Sequence, residues 1–579
     1  MSLVNLTING NKIQAETTQT ILDVAKTLDV HIPTLCYFEL PGSKVPNDCA
    51  SCRVCMVDTE RGLAPACSTR VYDGMEVNTH TIKAIKARRD VVDLILSNHP
   101  MECLTCEKNL NCELQKLAAD LGIQDIEYEG ERTNFGIDAS SKSVVRNLDK
   151  CILCRRCETM CNDVQTVGVL SGVDRGFETV VNTFFDVPMH KTRCTFCGQC
   201  IAVCPTGALT EVNNISKVWD MLYKKEHPVV VQVAPAVRVA IGEEFGLEPG
   251  SISTGKLVTA LRQIGFDYVF DTNFAADLTI MEEATEFIHR LEHGGKMPML
   301  TSCCPAWVNF FENSFADLID IPSSCKSPQQ MFGAVAKHYF APKIGVDPAN
   351  LKVVSVMPCV AKKYECARPE LGHEEVTDVD TVITTRELAK MIKEAGIKFE
   401  KLEESDFDNP LGESTGAAII FGASGGVAEA ALRTAYEWIT KETLENVDFK
   451  ALRGLDGIKE ATVNVNGMDV NVAISSGLGN ARKILEEIRA GKSKYHLIEI
   501  MACPGGCING GGQPYNHGDM SIVQKRCEAM YEIDDNTKIR KSHENPYIKA
   551  LYDEFLGEPY SKKAHEFLHT EYFARLKKD

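Results

Sequence analysis

Twenty-four of the 579 residues are cysteine, and most crowd into the first 210 residues at gaps of two or three. The opening residues Met1-Ser2-Leu3-Val4-Asn5-Leu6-Thr7 show no basic stretch followed by an apolar one, so an export signal is not expected. Thiols at C-x-x-C spacing in such a chain are metal ligands or redox groups rather than disulfide partners. One group is Cys36, Cys52, Cys55 and Cys67. Close thiolates on one loop, joined by distant ones that the fold brings in, suit a [2Fe–2S] cluster. Cys49 competes as a ligand, and a structural zinc is the alternative content. A second group, His99-x3-Cys103-x2-Cys106-x5-Cys112, fits a zinc site of three thiolates and one imidazole, or a [4Fe–4S] cluster with one histidine ligand. We expect the cluster, at a raised potential because imidazole is neutral where thiolate is anionic.

The third and fourth groups repeat one pattern 43 positions apart: Cys151-x2-Cys154-x2-Cys157-x3-Cys161 and Cys194-x2-Cys197-x2-Cys200-x3-Cys204-Pro205. This is the run of bacterial two-[4Fe–4S] ferredoxins, in which the fourth cysteine serves the other cluster. Cys151, Cys154 and Cys157 therefore pair with Cys204, and Cys194, Cys197 and Cys200 with Cys161. Four clusters in series make an electron wire.

Cysteines of another kind follow: Thr301-Ser302-Cys303-Cys304-Pro305-Ala306-Trp307, Met357-Pro358-Cys359-Val360-Ala361-Lys362-Lys363 and Met501-Ala502-Cys503-Pro504-Gly505-Gly506-Cys507. These are loops after apolar strands, and thiols dispersed over two hundred residues can meet only across a cleft. Burial there would exclude water and tune a metal. Glu283 and Glu286, with Arg290 four residues beyond, form by themselves an ordinary exposed helix pattern. Gly422-Ala423-Ser424-Gly425-Gly426 fits a nucleophile elbow, but no partner histidine and acid stand out, so a tight glycine turn is the better account.

The elements that must position these groups can be read in outline. Leu3–Ile8 and the run from Ile13, around Asn9-Gly10, make a hairpin, and a helix runs from Thr20 to Leu28 with Thr18 or Thr20 as its cap. Residues 81–122 read as helical, with Lys83, Lys86, Arg88 and Arg89 on a solvated face, and 130–143 as a linker. After residue 212, strand-like runs (Val229–Ala234, Lys352–Met357, Ala417–Phe421) alternate with helical periodicity (Met281–Leu291, Val427–Ile439), which argues for a two-lobed α/β architecture. The formal charge of −18 disfavours nucleic acid or an anionic membrane as partner. The most hydrophobic segment, Val229 to Ile241, is interrupted by Gln232, Pro235 and Arg238 and is too short to span a bilayer. A cytoplasmic location is expected.

The three later segments resemble the signature motifs of [FeFe]-hydrogenases. The order of modules resembles the large, monomeric, ferredoxin-linked type, down to Leu568-His569-Thr570-Glu571-Tyr572 in a segment similar to the family's small subunit. The resemblance implies a multidomain α/β and α+β chain. Residues 1–80 would form a β-grasp [2Fe–2S] domain, 81–125 a small [4Fe–4S] module with one histidine and three cysteine ligands, and 126–211 a two-[4Fe–4S] ferredoxin domain. Residues 212–579 would form the catalytic domain, closed by the small-subunit-like segment 540–579. It also implies the H-cluster: a [4Fe–4S] cube on Cys304, Cys359, Cys503 and Cys507, with Cys507 bridging to a two-iron unit that carries carbon monoxide, cyanide and an azadithiolate. Cys303 would pass protons along Glu283, Ser323, Glu286 and Arg290. Lys362 would bond a cyanide, and Ala234, Pro235, Gln329, Met357 and Met501 would line the pocket. Implied substrates are hydrogen and protons, with ferredoxin or flavodoxin as redox partner and maturation proteins supplying the two-iron unit.

Ala306 stands where the family usually has glycine. Cys49, Cys325, Cys366 and Cys527 have no assignment, and Cys366 is read as a buried inert thiol or a redox-sensitive one. An electron-relay subunit like that of respiratory NADH dehydrogenase would lack the Cys303-Cys304 motif and the Cys503/Cys507 pair. A cluster-assembly scaffold would lack Cys303 and the front modules. A hydrogen sensor or a subunit of a larger complex is the remaining alternative.

Overall fold

The computed structural model describes residues 2–47 and 49–575. The chain forms two compact units: one takes residues up to 163 with 168–192 and 203–210, the other takes 164–167, 193–202 and everything from 211.

The first unit opens with the expected hairpin. Leu3–Ile8 pairs antiparallel with Asn11–Glu16 around Asn9 (φ 50°) and Gly10 (φ 84°), two left-handed residues whose turn matches strand twist. Leu3–Ile8 also runs parallel to Met75–Asn78, which borders the antiparallel pair Met56–Thr59 and Gly62–Pro65. This five-stranded sheet and the helix Ile21–Thr27 make the β-grasp. Thr20 rather than Thr18 caps that helix, in a reciprocal box with Asp23. The helical reading of 81–122 divides in two. Ile82–Asn98 stops before His99-Pro100, because proline disfavours helical backbone in the residue before it. Glu113–Asp120 then starts on Cys112. Arg88 departs from the solvated-face expectation: it is buried and donates to the Met56 carbonyl at 2.7 Å. Within the 130–143 linker, Ile137–Asp138 pairs with Val144–Asn147.

The second unit holds two four-stranded sheets. In one, Tyr268–Asp271, Val229–Val233, Lys352–Met357 and Thr381–Thr384 are all parallel. In the other, Met299–Leu300 and Met468–Ser476 flank Leu497–Met501 in parallel, and Ile458–Val465 closes the edge antiparallel. The run expected as a strand at Ala417–Phe421 is instead helical, as Gly416–Ile419 followed by a 3-10 turn Ile420–Gly422. A short apolar run buried on all sides carries no period that separates strand from helix. Met281–Leu291 is part of the 22-residue helix Thr272–His293, and Val427–Ile439 lies in Gly426–Thr440.

Candidate active site and cluster sites

In the second unit, five strands, three from the first sheet and two from the second, end at one cavity of about 80 Å³. Ala234 and Pro235 follow the strand ending at Val233, Thr272 follows Asp271, Cys303 and Cys304 follow the strand ending at Leu300, Cys359 follows Met357, and Cys503 follows Met501. Crevices at strand carboxyl ends are where open α/β sheets place ligands. The same cavity is lined by Cys507, Lys362, Gln329, Met357, Met501 and Ala306. Every residue expected to hold or enclose the H-cluster therefore meets there. Cys197, from the ferredoxin-like run, also lines it.

The loop bearing Cys503 and Cys507 owes its path to glycine. Gly506 has φ +101°, and a Cβ on it would lie 2.6 Å from the Ser424 nitrogen; one on Gly510 would lie 2.2 Å from the Pro358 carbonyl. Arg386, paired with Glu211, donates to the Gly511 carbonyl at 2.7 Å and fixes the far end. The Gly422–Gly426 segment is this loop's support: Ser424 N donates to Gly505 O, while Gly425 N and Ala428 N bond the Glu499 carboxylate at 2.7 and 2.9 Å. It follows a helical turn, not a strand, and is a packing turn.

The thiols are suited to iron. Backbone N–H groups point at Sγ of Cys304 (from Ala502, 3.4 Å), Cys52 (Cys36, 3.4 Å), Cys112 (Gln115, 3.5 Å), Cys161 (Val169, 3.5 Å) and Cys194 (Phe196, 3.4 Å). Such donors stabilise thiolates and tune cluster potentials. Burial raises the free thiols of Cys304, Cys359, Cys503 and Cys507 above their ordinary value, a cost that positive metal removes.

In the first unit, Cys151, Cys154, Cys157 and Cys204 line one small cavity, the set expected from the ferredoxin pattern. The two copies of that pattern also repeat in backbone: Leu153 and Arg155 are left-handed (φ 56° and 59°), as are Phe196 and Gly198 43 positions on (56° and 74°). His99 is half-buried, and its Nδ1, closed off from solvent, has no hydrogen-bond partner among the described residues. Burial lowers it to about 4, so it is the neutral imidazole that a metal needs. Gly207 leaves room for Cys106, whose Sγ would lie 2.5 Å from a Cβ there. The Cys36 thiol is close enough to those of Cys49, Cys52 and Cys67 to interact with each, as Cys55 is with Cys67; all five cysteines gather.

The acidic pair expected as an exposed pattern is buried, with Glu283 1% and Glu286 2% exposed. Among the described residues, no donor reaches either oxygen of Glu283 in full hydrogen-bond geometry. Burial, then the charge of Glu286, pushes this carboxyl up to about 8. Burial and the Glu283 charge likewise raise Cys303 well above a normal thiol. Farther out, Ser323 Oγ donates to Glu286 Oε2 at 2.8 Å, and Arg290 donates to Glu286 at 2.5 Å and to the Ile321 carbonyl at 2.7 Å.

Sequence reasoning missed Glu365, whose carboxylate holds Lys362 at 3.0 Å and also receives Gln329 and Ser327 at 2.9 Å; the i, i+3 spacing from Lys362 was its only signal. It missed His569 and Ser324 beside Glu286 as well. Cys366, for which inert and redox-sensitive readings both stand, donates its S–H to the Lys363 carbonyl, and burial raises its pKa to about 11.

Among the described residues, no helix is long and apolar enough to cross a membrane. The sequence matches the C-terminal domain of the iron only hydrogenase large subunit over residues 227–511 and the iron hydrogenase small subunit over 520–575. It matches the 2Fe-2S iron-sulfur cluster binding domain over 2–81, the NADH-ubiquinone oxidoreductase-G iron-sulfur binding region over 88–127 and the 4Fe-4S dicluster domain over 142–208. It is 55% identical to the NADP-reducing hydrogenase subunit HndD of Solidesulfovibrio fructosivorans, covering 99% of this chain and 100% of that one. It is 41% identical to iron hydrogenase 1 of Clostridium pasteurianum, covering 98% and 99%. A solved [FeFe]-hydrogenase of Chlamydomonas reinhardtii has a TM-score of 0.57 at 43% identity, covering 63% of this chain and 99% of that one. With relatives of this identity along its whole length, and with a cysteine-lined cavity at the strand ends, the chain belongs to the [FeFe]-hydrogenases, oxidoreductases that carry iron–sulfur clusters.

Proposed function

We propose that this iron hydrogenase interconverts hydrogen with two protons and two electrons at the cavity of the second unit. The H-cluster cube would sit on Cys304, Cys359, Cys503 and Cys507, with one [2Fe–2S] and three [4Fe–4S] clusters upstream on the ligands named above. The reading is supported by the meeting of those four cysteines, Cys303 and Lys362 at one cavity. When bound, the two-iron unit supplies the open metal site at which hydrogen is split or formed. The chain's own part is to exclude water, to present the Lys362 ammonium on the wall, and to carry protons. Glu283, whose carboxyl stays neutral at pH 7, donates its proton to Cys303 in hydrogen formation; in hydrogen uptake it first releases that proton outward and is then refilled from Cys303. Ser323 and Glu286 link Glu283 to the outer end of the relay, where Arg290, a donor only, holds Glu286 in place. Domain limits at 80, 125 and 211, with the small-subunit-like segment from 540, fit the cysteine groups.

Ferredoxin is the electron partner implied by this module order. A second reading, a subunit of a complex that reduces NADP, is favoured by the 55% identity to HndD. Infrared spectra of protein made with its maturation proteins test the first claim: metal-bound carbonyl and cyanide bands are expected, and their absence sinks it. Cys303→Ala should keep those bands and lose most turnover. Hydrogen-dependent reduction of ferredoxin by the isolated chain, compared with NADP+, separates the two partners.

A further inference from the structure

Glu286 is a junction. Besides Ser323 and Arg290, it receives Ser324, whose backbone N–H lies 3.2 Å and whose Oγ lies 3.5 Å from Oε2. The Ser324 hydroxyl lies 2.8 Å from His569 Nδ1, and His569 Nε2 lies 3.0 Å from Glu282 Oε2. Glu282, also buried, takes two more donors, the Tyr552 hydroxyl and the Tyr560 N–H. Backbone bonds hold the histidine in place: Lys326 N donates to Leu568 O and Thr570 N to Ser324 O, both at 2.8 Å. One acceptor atom each from Glu286, Cys325 and His569 lie within 4.8 Å of one another.

Three donors converge on the one buried Glu282 carboxylate. An imidazole with a carboxylate on one nitrogen and a hydroxyl on the other can hold a second proton. Each turnover moves two protons, while Glu286 can hold one. We propose that the Glu282–His569 pair is a proton store on a side branch of the relay, filled and emptied through the Ser324 hydroxyl at Glu286. The proposal rests on the reading of Glu286 as a relay residue.

In filling, protonated Glu286 gives its proton to Ser324 Oγ as the Ser324 proton passes to His569 Nδ1. Glu286 is left as carboxylate and His569 as imidazolium, with its Nε2–H on Glu282. Emptying is the reverse, and no other bond changes. The groups that face His569 are Glu282 and Glu286, the latter joined to Arg290, from the helix Thr272–His293, Ser324 and Cys325 from the adjoining loop, and Tyr560. The His565 ring, from its own helix, is stacked at 4.0 Å.

The test uses the fully matured enzyme, with rates of hydrogen uptake and evolution measured across pH. His569→Gln can hydrogen bond but cannot hold the extra proton. We expect kcat to fall about tenfold with KM for the electron carrier unchanged, and the pH–rate profile to lose one ionisation. Ser324→Ala should give the same profile, and Ser324→Thr, which restores the hydroxyl, should recover the parent's. If His569→Gln or Ser324→Ala keeps the parent profile, or Ser324→Thr behaves like Ser324→Ala, the store is refuted. Glu286→Gln is the control. It should cost a hundredfold or more, and if it is harmless, the relay reading itself falls and takes the store with it.

Discussion

Lys362 Nζ and Glu365 Oε2 lie 3.0 Å apart on the buried wall of the cysteine cavity, and the same ammonium donates to the Cys303 carbonyl at 3.1 Å. The pair keeps a positive charge against the site: burial disfavours the ammonium, and Glu365 and Cys359 more than compensate, holding Lys362 above its ordinary value.

Glu365→Gln should therefore destabilise the protein by about 3–5 kcal/mol, the usual consequence of stranding one member of a buried pair. Lys362→Met combined with Glu365→Leu should regain most of that stability without regaining activity. Denaturant midpoints of the cluster-loaded proteins decide this. Equal midpoints for parent and Glu365→Gln would show that the pair does not hold the wall.

Glu283 gives a pH signature. In the unfolded chain it titrates near 4.5, in the folded one at about 8. Below 4.5 both states are protonated; between 4.5 and 8 the unfolded state releases a proton that the folded state keeps, so stability falls as pH rises and levels off above 8. Glu283→Gln has no such proton. Its thermal midpoint should decline less than the parent's from about pH 5 to about pH 9, and parallel curves would contradict the burial argument. Hydrogen evolution by the parent should fade as pH passes about 8, where the donor form is lost.

Gly506→Ala should cost about 1–3 kcal/mol in backbone strain alone, and more because the new methyl meets the Ser424 nitrogen. Gly454→Ala is the comparison, since Gly454 has φ +103° but nothing within 4 Å. Iron content and thermal stability should drop further for position 506 than for position 454.

His99→Cys should retain iron, because the thiolate is also a ligand, and should lower that cluster's midpoint potential by roughly 100 mV through the added negative charge. Redox titration followed by electron paramagnetic resonance reads the shift. If the site instead takes zinc in parent and variant alike, elemental analysis will show it.

The cysteines were legible because a ligand's chemistry fixes its residue type and the loop fixes its spacing. The hairpin at Asn9-Gly10 and the capped helix after Thr20 were legible because their signals are local. Ala417–Phe421 was not, since burial on every side erases periodicity. Nor was the burial of Glu283 and Glu286, because an i, i+3 acidic pair looks the same whether it meets water or Ser323. His569 and Ser324 are 245 positions apart, and only the folded chain joins them.

The convergence of strand ends on one cavity also sets a timetable for synthesis. Cys507 leaves the ribosome 203 residues after Cys304, a delay on the order of ten seconds or more at ordinary elongation rates. The ligands up to Cys204 are all available before either. When the last ligand of the upstream groups has emerged, the cavity still lacks all four of its own cysteines, so its ligand set is the last that the chain can complete.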